Sequence, residues 1–421
     1  MAQIPQPERS DLILTPSLAK AAGSASSPAG MHFGGHRDGE TPGPALLSGG
    51  GRSRVAVLTT DAYGTRGGIG LFSRNLVRAL SGSGLAERIE LLARNLDPDL
   101  RHDPVTGCGT APPGVRLRPQ ATRGKLAYVR HCLASLLPGR RPDLVICVHI
   151  NLLPLAVLMG GCCQAPVVLI GHGIEVWRRP YPLAGLLLRA VAAVWCVSAL
   201  SGERLCRWSA LDPRRCRVLP NSIALEEYAE GPRDPALMQR HGLPQQARLL
   251  LTMARLDSSE RYKGIDELLE AMPELIARHP QLHYLIVGDG DDRERLEARA
   301  QQLGLGERVR FAGYVPEEEK ASHLRLADVF VMAGRGEGFG FVFLEALACG
   351  IPSVGSCLDG SREALRQGLL GEIADPRERD QLIAAIERAL KRPRGRPEGL
   401  NFFDWPHFQS RLNALLIGST V

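Results

Sequence analysis

Aromatic residues are scarce, at 5% of 421 residues, and none is interleaved with basic residues in a nucleic-acid-binding motif. Charge of one sign is also scarce: 51 Lys+Arg against 45 Asp+Glu leave +6, which suits an anionic small ligand or an anionic membrane surface but argues no nucleic acid. Ten cysteines are present, yet none forms a CxxC pair and none stands at zinc-finger spacing from histidines. The adjacent Cys162 and Cys163 sit in apolar surroundings, so the thiols read as reduced and buried, as in a cytosolic protein. Uninterrupted hydrophobic runs are missing. Residues 144–170 are broken by His149, Asn151, Pro154, Gly160, Gly161, Gln164 and Pro166, and residues 183–200 carry Arg189. Both read as folded strands and helices rather than membrane spans. The first residues lack the basic start and apolar core of a signal peptide. These absences point to a cytoplasmic protein, with peripheral contact at the inner membrane face as the membrane role left open.

What is present is a hydrophobic fraction of 44%, enough for more than one core. Residues 1–52, rich in Gly, Pro, Ala and Ser, read as a disordered tail. From residue 53 to 220, short apolar strands alternate with helical patterns: strands over 55–58, 89–93, 143–149, 166–170, 191–197 and 217–220, and helices after the glycine-rich loop 59–70 and over 126–137, 152–159 and 198–209. Residues 95–124 read as irregular. Residues 221–247, carrying Gly231, Pro232, Pro235, Gly242 and Pro244, read as a linker. A second alternating series fills 248–400, and 401–421 reads as an amphipathic helix that could cross back to the first domain. Buried strands alternating with helices imply an α/β fold with parallel sheets. Two such Rossmann-like domains would face each other across a cleft, with ligands at the strands' carboxyl ends.

The most informative stretch is AGRGEGFGFVFLEALACG, from Ala333 to Gly350. An apolar strand breaks into a turn holding Gly334, Gly336, Gly338 and Gly340, then resumes as a helix over 341–349. A glycine-rich loop leading into a helix N-terminus is an anion site. Glu337 and Glu345 flank it, and carboxylates accept hydrogen bonds from hydroxyls rather than bind phosphate. A phosphate flanked by hydroxyl-bearing groups describes a nucleotide-sugar. Upstream, Arg255 closes a strand and Lys263 follows before Gly264, two cations suited to a leaving diphosphate. His172, between Gly171 and Gly173, ends another strand and so faces the ligand side. His149 also ends a strand but reads as structural.

Taken in order, Gly67-Gly68-Ile-Gly70, Arg255-Leu…Lys263-Gly264, Val287-Gly-Asp-Gly290, Phe311-Ala-Gly313-Tyr-Val315 and Glu337-Gly-Phe-Gly…Glu345-Ala…Gly350-Ile-Pro352 resemble the retaining glycosyltransferases of family 4, which have the GT-B fold. The resemblance extends over about residues 54–416 and includes enzymes of bacterial exopolysaccharide and lipid-linked glycan synthesis. It implies that Glu345 binds the nucleotide ribose and Glu337 the donor sugar. It implies that Arg255 and Lys263 bind the diphosphate, and that His172 contacts the donor sugar near the reaction centre. Phe339, Gly340 and Phe341 would offer backbone N–H groups, Gly68 would approach the diphosphate from across the cleft, and Gly313, Tyr314 and Val315 would lie under the base. The implied reaction moves a sugar from GDP-mannose or a UDP-sugar to a glycan or lipid-linked acceptor with retention. A non-catalytic nucleotide-sugar-binding protein is the alternative on the same fold. Asp359-Gly-Ser-Arg-Glu363 departs from the family's Gly-Gly-x-Pro-Glu, a departure expected to bear on donor choice.

Two further readings are weaker. Asp289-Gly290-Asp291 and Asp97-Pro98-Asp99 have the spacing of a metal-binding Asp-x-Asp, but the first stands in a strand-to-helix turn where Asp and Gly serve as turn and cap residues. No metal and no cofactor are therefore expected. Gly288-x-Gly290 lacks the third glycine of a dinucleotide fingerprint, which disfavours an NAD-dependent oxidoreductase.

Overall fold

The computed structural model describes residues 43–47, 53–63, 67–95, 112–118 and 124–419. Seven strands form the first sheet: β1 Ser53–Asp61, β2 Ala86–Asn95, β3 Val115–Leu117, β4 Leu144–Cys147, β5 Val167–Gly171, β6 Ala193–Cys196 and β7 Cys216–Val218. Six form the second: β8 Arg248–Met253, β9 Leu282–Val287, β10 Val309–Gly313, β11 Val329–Val331, β12 Ser353–Ser356 and β13 Glu372–Ala374. The orders are β3-β2-β1-β4-β5-β6-β7 and β10-β9-β8-β11-β12-β13, and every pairing is parallel. Every residue of β4, β5, β6, β9 and β11 is buried, because helices cover both faces. The expected α/β architecture of two Rossmann-like domains is the one observed.

The differences lie at edges and connections. The short edge strand β3 stands inside the stretch expected to be irregular. It is legible only through its pairing with β2, where Ile89 to Leu91 lie beside Val115 to Leu117. Residues 221–247 are more than a connection. Asp234 caps the helix Pro235–Arg240 by accepting from Ala236 N and Leu237 N, and Leu237 and Met238 are buried. Proline there starts a helix rather than breaking one. Of the stretch expected to be a tail, residues 43–47 are described. Leu46 and Leu47 are buried, and their N–H groups donate to Leu416 O at 2.9 and 3.0 Å. The remainder of that stretch lies outside the described residues.

The last helix, Trp405–Ile417, returns to the first domain. Gln409 Nε2 donates to Ala79 O at 2.8 Å, and Phe408 meets Phe72 edge-on, 6.3 Å between ring centres. Phe72 belongs to the helix Gly68–Gly82, whose inner face buries Phe72, Leu76, Val77 and Leu80. The chain end thus braces the first helix of the fold.

Candidate functional site

In a doubly wound sheet, adjacent strands whose connections leave in opposite directions open a crevice at their carboxyl ends. Here the crevices lie between β1 and β4 in the first sheet and between β8 and β11 in the second. Arg255 follows β8 and the glycine-rich loop follows β11, so sheet order places both beside one crevice. Gly68 follows β1, and His172 follows β5, next to β4.

The second-domain side is a set of opposed charges. Lys263 ends the 3-10 turn Ser258–Lys263, and its Nζ lies 3.2 Å from Glu337 Oε2 and 4.0 Å from Glu260 Oε2. The nearby Glu337 carboxylate raises the Lys263 ammonium above its ordinary range, so Lys263 holds its proton firmly. Arg255 pairs with Glu260 and keeps about two thirds of its side chain exposed. Arg255, Glu260 and Lys263 line one shallow depression. Glu345, on the helix Phe341–Ala348, is fully buried. Burial pushes its carboxyl up, opposed by Lys320, whose Nζ lies 2.7 Å away. Lys320 also reaches Glu317 at 3.3 Å, and Tyr228 donates to Glu317 at 3.0 Å.

The glycine-rich loop presents backbone. Gly340 has φ +92°, a left-handed geometry that bends the chain into the helix, and no side chain caps that N-terminus among the described residues. Phe343 N donates to Gly340 O at 3.2 Å, while no side-chain cap engages the N–H groups of Phe341 and Val342. The Phe339 ring is buried against Phe403, 5.5 Å between centres, so only its backbone can face a ligand. At the end of β10, Gly313 O accepts from Gly288 N at 2.8 Å and fixes the strand end. Tyr314 is half exposed, and Val315 leads into the helix Glu317–Leu324 that carries Lys320.

The first-domain side centres on His172. Its Nε2 lies 2.8 Å from Val148 O; a carbonyl only accepts, so Nε2 carries the proton and Nδ1 is the acceptor nitrogen. Burial lowers this imidazole from 6.5 to about 4, so it is neutral at physiological pH. Phe72 packs edge-on against it at 4.9 Å. Glu175 Oε1 accepts from His172 N at 2.6 Å and Gly173 N at 3.1 Å, which pins the loop. His149 plays the structural part expected of it, its Nδ1 accepting from Asn151 N at 3.2 Å.

The two sides touch. A Cβ on Gly338 would stand 1.9 Å from His172 O, so only glycine lets the two loops approach this closely. Across the same cleft, a Cβ on Gly68 would be 3.4 Å from the Phe341 ring. His172, Gly68, Glu337, Gly340 and Phe341 are therefore gathered at one place, with Lys263 paired into it.

Sequence reasoning missed Lys320, Tyr228, Glu175 and Asp359. Asp359 is fully buried, and its Oδ2 accepts from Glu337 N at 3.0 Å. Only its departure from the family pattern signalled it. The carboxylates of Asp289 and Asp291 are occupied locally. Asp289 accepts from Gly290 N at 2.9 Å, and Asp291 accepts from Ser258 N and Oγ, both at 2.7 Å. Asp97 and Asp99 lie outside the described residues.

Comparison with known proteins follows the same division. Residues 66–227 match the family described as Glycosyltransferase Family 4, and residues 234–399 match Glycosyl transferases group 1. The chain is 33% identical over 273 residues to the GDP-mannose-dependent alpha-(1-6)-phosphatidylinositol monomannoside mannosyltransferase of Mycolicibacterium smegmatis, covering 60% of this chain and 70% of that protein. It is 34% identical over 206 residues to the phosphatidyl-myo-inositol mannosyltransferase of Mycobacterium tuberculosis, covering 46% of this chain and 52% of that one. Among solved structures, Anabaena Alr3699/HepE in complex with UDP and glucose superposes with a TM-score of 0.65 at 19% identity, over 86% of this chain and 98% of that chain.

Proposed function

This chain belongs to the family 4 and group 1 glycosyltransferases of GT-B fold, and from that premise we propose that it transfers a hexosyl group from a nucleotide-diphosphate sugar to a lipid-linked glycan acceptor with retention. The observation that carries this reading is the meeting of the Glu337–Gly338 loop with the His172 loop. It brings the Glu337 carboxylate, the Lys263 ammonium and a neutral histidine to one point. GDP-mannose is the first donor to test, because a GDP-mannose-dependent mannosyltransferase is among the relatives; a UDP-sugar is the other.

In this reading Glu345 accepts the ribose hydroxyls, and the Phe341–Ala348 N-terminus receives the diphosphate. Arg255 and Lys263 stabilise its developing charge. Glu337 and His172 Nδ1 accept from sugar hydroxyls. The bond from the anomeric carbon to the diphosphate oxygen breaks as the acceptor oxygen bonds to that carbon on the same face. The acceptor proton passes to the departing phosphate oxygen. Nothing in this sequence requires a metal ion, and the Asp289 and Asp291 carboxylates are already engaged in the turn.

The acceptor reading places the protein at the cytoplasmic face of a membrane. No helix among the described residues is long and apolar enough to cross one. The helix Lys125–Ala134 and its neighbours instead leave Leu126, Leu137, Leu183 and Leu186 more than half exposed, with Lys125, Arg130 and Arg189 beside them. Apolar side chains among cations suit an anionic lipid surface.

The test is release of nucleoside diphosphate from GDP-mannose and from UDP-glucose, with a polyprenyl- or inositol-lipid acceptor and excess chelator, on wild type and Arg255→Ala. One donor should turn over despite the chelator, and Arg255→Ala should lower turnover by more than about tenfold through loss of a charge-assisted contact. Turnover unchanged in the variant removes Arg255 from the site. Binding without turnover for every donor supports the non-catalytic alternative.

A further inference from the structure

The segment 358–363 ties together parts of the molecule that the proposed reaction needs in register. Within its own domain, Asp359 Oδ2 accepts from Glu337 N at 3.0 Å, while Oδ1 accepts from Ser361 N at 3.0 Å and Ser361 Oγ at 2.6 Å. Gly360 N donates to Glu337 O at 2.7 Å, and a Cβ on Gly360 would stand 2.0 Å from Gly338 O. Both backbone polar groups of Glu337 are thus held by two consecutive residues of this segment. Glu337 in turn pairs with Lys263, so the segment fixes the carboxylate and, through it, the ammonium.

The same segment docks on the other domain. Glu363 Oε2 accepts from Ala199 N at 2.5 Å, and Oε1 from Leu200 N at 2.9 Å. These N–H groups open the first-domain helix Ala199–Ser209, where Ser198 caps only Ser201 N. A carboxylate from the second domain completes that N-terminus with charge of the favoured sign. Arg204, on the same helix, donates to Leu358 O at 3.0 Å and stacks over the Trp177 ring at 3.8 Å. Trp177 ends the short helix Ile174–Trp177 that begins next to His172. The bracket therefore spans from the His172 loop to the Glu337 loop by a route separate from the direct contact at Gly338.

We propose that the segment 358–363 is a positioning element that couples docking of the two domains to placement of the Glu337 carboxylate, with Asp359 orienting the loop and Glu363 joining it to the first domain. Asp359 and Glu363 touch no substrate in this account; they act through Glu337 and through closure of the cleft. The acid at 359 stands where the resembled family has glycine, which cannot accept a side-chain hydrogen bond. In this chain the Glu337 backbone is thus held by a side chain.

The proposal rests on the glycosyltransferase reading above, and the experiment separates the two. Full-length Asp359→Ala, Glu363→Ala and Glu363→Gln are compared with wild type for transfer, for hydrolysis of the donor by water, and for affinity for free GDP and UDP. Asp359→Ala should bind the nucleotide within about threefold of wild type, since Glu345, Arg255 and the helix N-terminus remain, while transfer falls by at least about tenfold. Glu363→Ala should show the same split and raise hydrolysis relative to transfer several-fold, roughly fivefold, because an undocked cleft admits water. Glu363→Gln, which keeps one accepting oxygen, should recover part of the transfer rate. Nucleotide affinity falling in parallel with transfer would mark a merely structural role and overturn the proposal. Transfer by Glu363→Ala equal to wild type would overturn it too, and that variant decides the matter where Asp359→Ala does not fold. Wild type inactive with both donors would instead bring down the underlying reading, and this proposal with it.

Discussion

His172 shows how much a single side chain owes to its surroundings. In sequence it is a histidine between glycines at a strand end. In the fold it lies against Phe72, with Nε2 on Val148 O, and burial lowers its pKa from 6.5 to about 4. The unfolded chain therefore binds this proton at a higher pH than the folded one does. The neutral imidazole costs no stability above about pH 6.5, but stability is lost as pH falls from there towards 4, by at most about 3 kcal/mol. A His172→Asn variant should lose less stability than wild type between pH 7 and pH 4.5, measured by denaturant titration at each pH. Parallel curves would show that His172 titrates as it does in water. The burial also fits the proposed role, since a neutral ring can accept from a hydroxyl where an imidazolium cannot.

At the scale of elements, the helices Glu317–Leu324 and Phe341–Ala348 are joined through one buried ion pair. Lys320 meets Glu345 at 2.7 Å, and the Glu345 side chain is only 3% exposed. A buried pair adds little net stability, but removing one partner leaves an uncompensated charge. Lys320→Met should therefore destabilise the protein by about 3 kcal/mol at pH 8. The penalty should shrink towards pH 6, because the Glu345 carboxyl, already raised by burial, can then take up a proton. Thermal unfolding at the two pH values checks this, and an equal loss at both would mean that Glu345 stays ionised without Lys320. The glycine-rich loop and its helix were readable from residue order, because strand, turn and helix are contiguous. The lysine was not, because it lies 25 residues from its partner and resembles any solvated member of the Glu317-Glu-Glu-Lys320 run.

At the scale of the whole molecule, the last helix and the segment 358–363 both bridge to the first domain, and the exposed Leu126, Leu137, Leu183 and Leu186 lie on or beside that domain's helices. Contact with an anionic bilayer should depend on them. Wild type should sediment with vesicles containing about a third phosphatidylglycerol and not with phosphatidylcholine vesicles, and Leu126→Glu with Leu137→Glu should abolish it. Sedimentation that survives the double substitution would move the contact elsewhere.

The amino-acid order by itself determined the two alternating α/β series, the glycine-rich loop leading into a helix N-terminus and the positions of Glu337, Glu345, Arg255, Lys263 and His172. Each of these is written in hydrophobic periodicity, in glycine and turn chemistry or in a local motif, and such signals act over a few residues. Tertiary structure alone decided which carboxylates are paired and with what. Glu337 N reaches Asp359 across 22 positions and Glu363 reaches Ala199 across 164. Partners so far apart in the chain are brought together by the packing of whole elements, and no local signal in the sequence encodes that meeting.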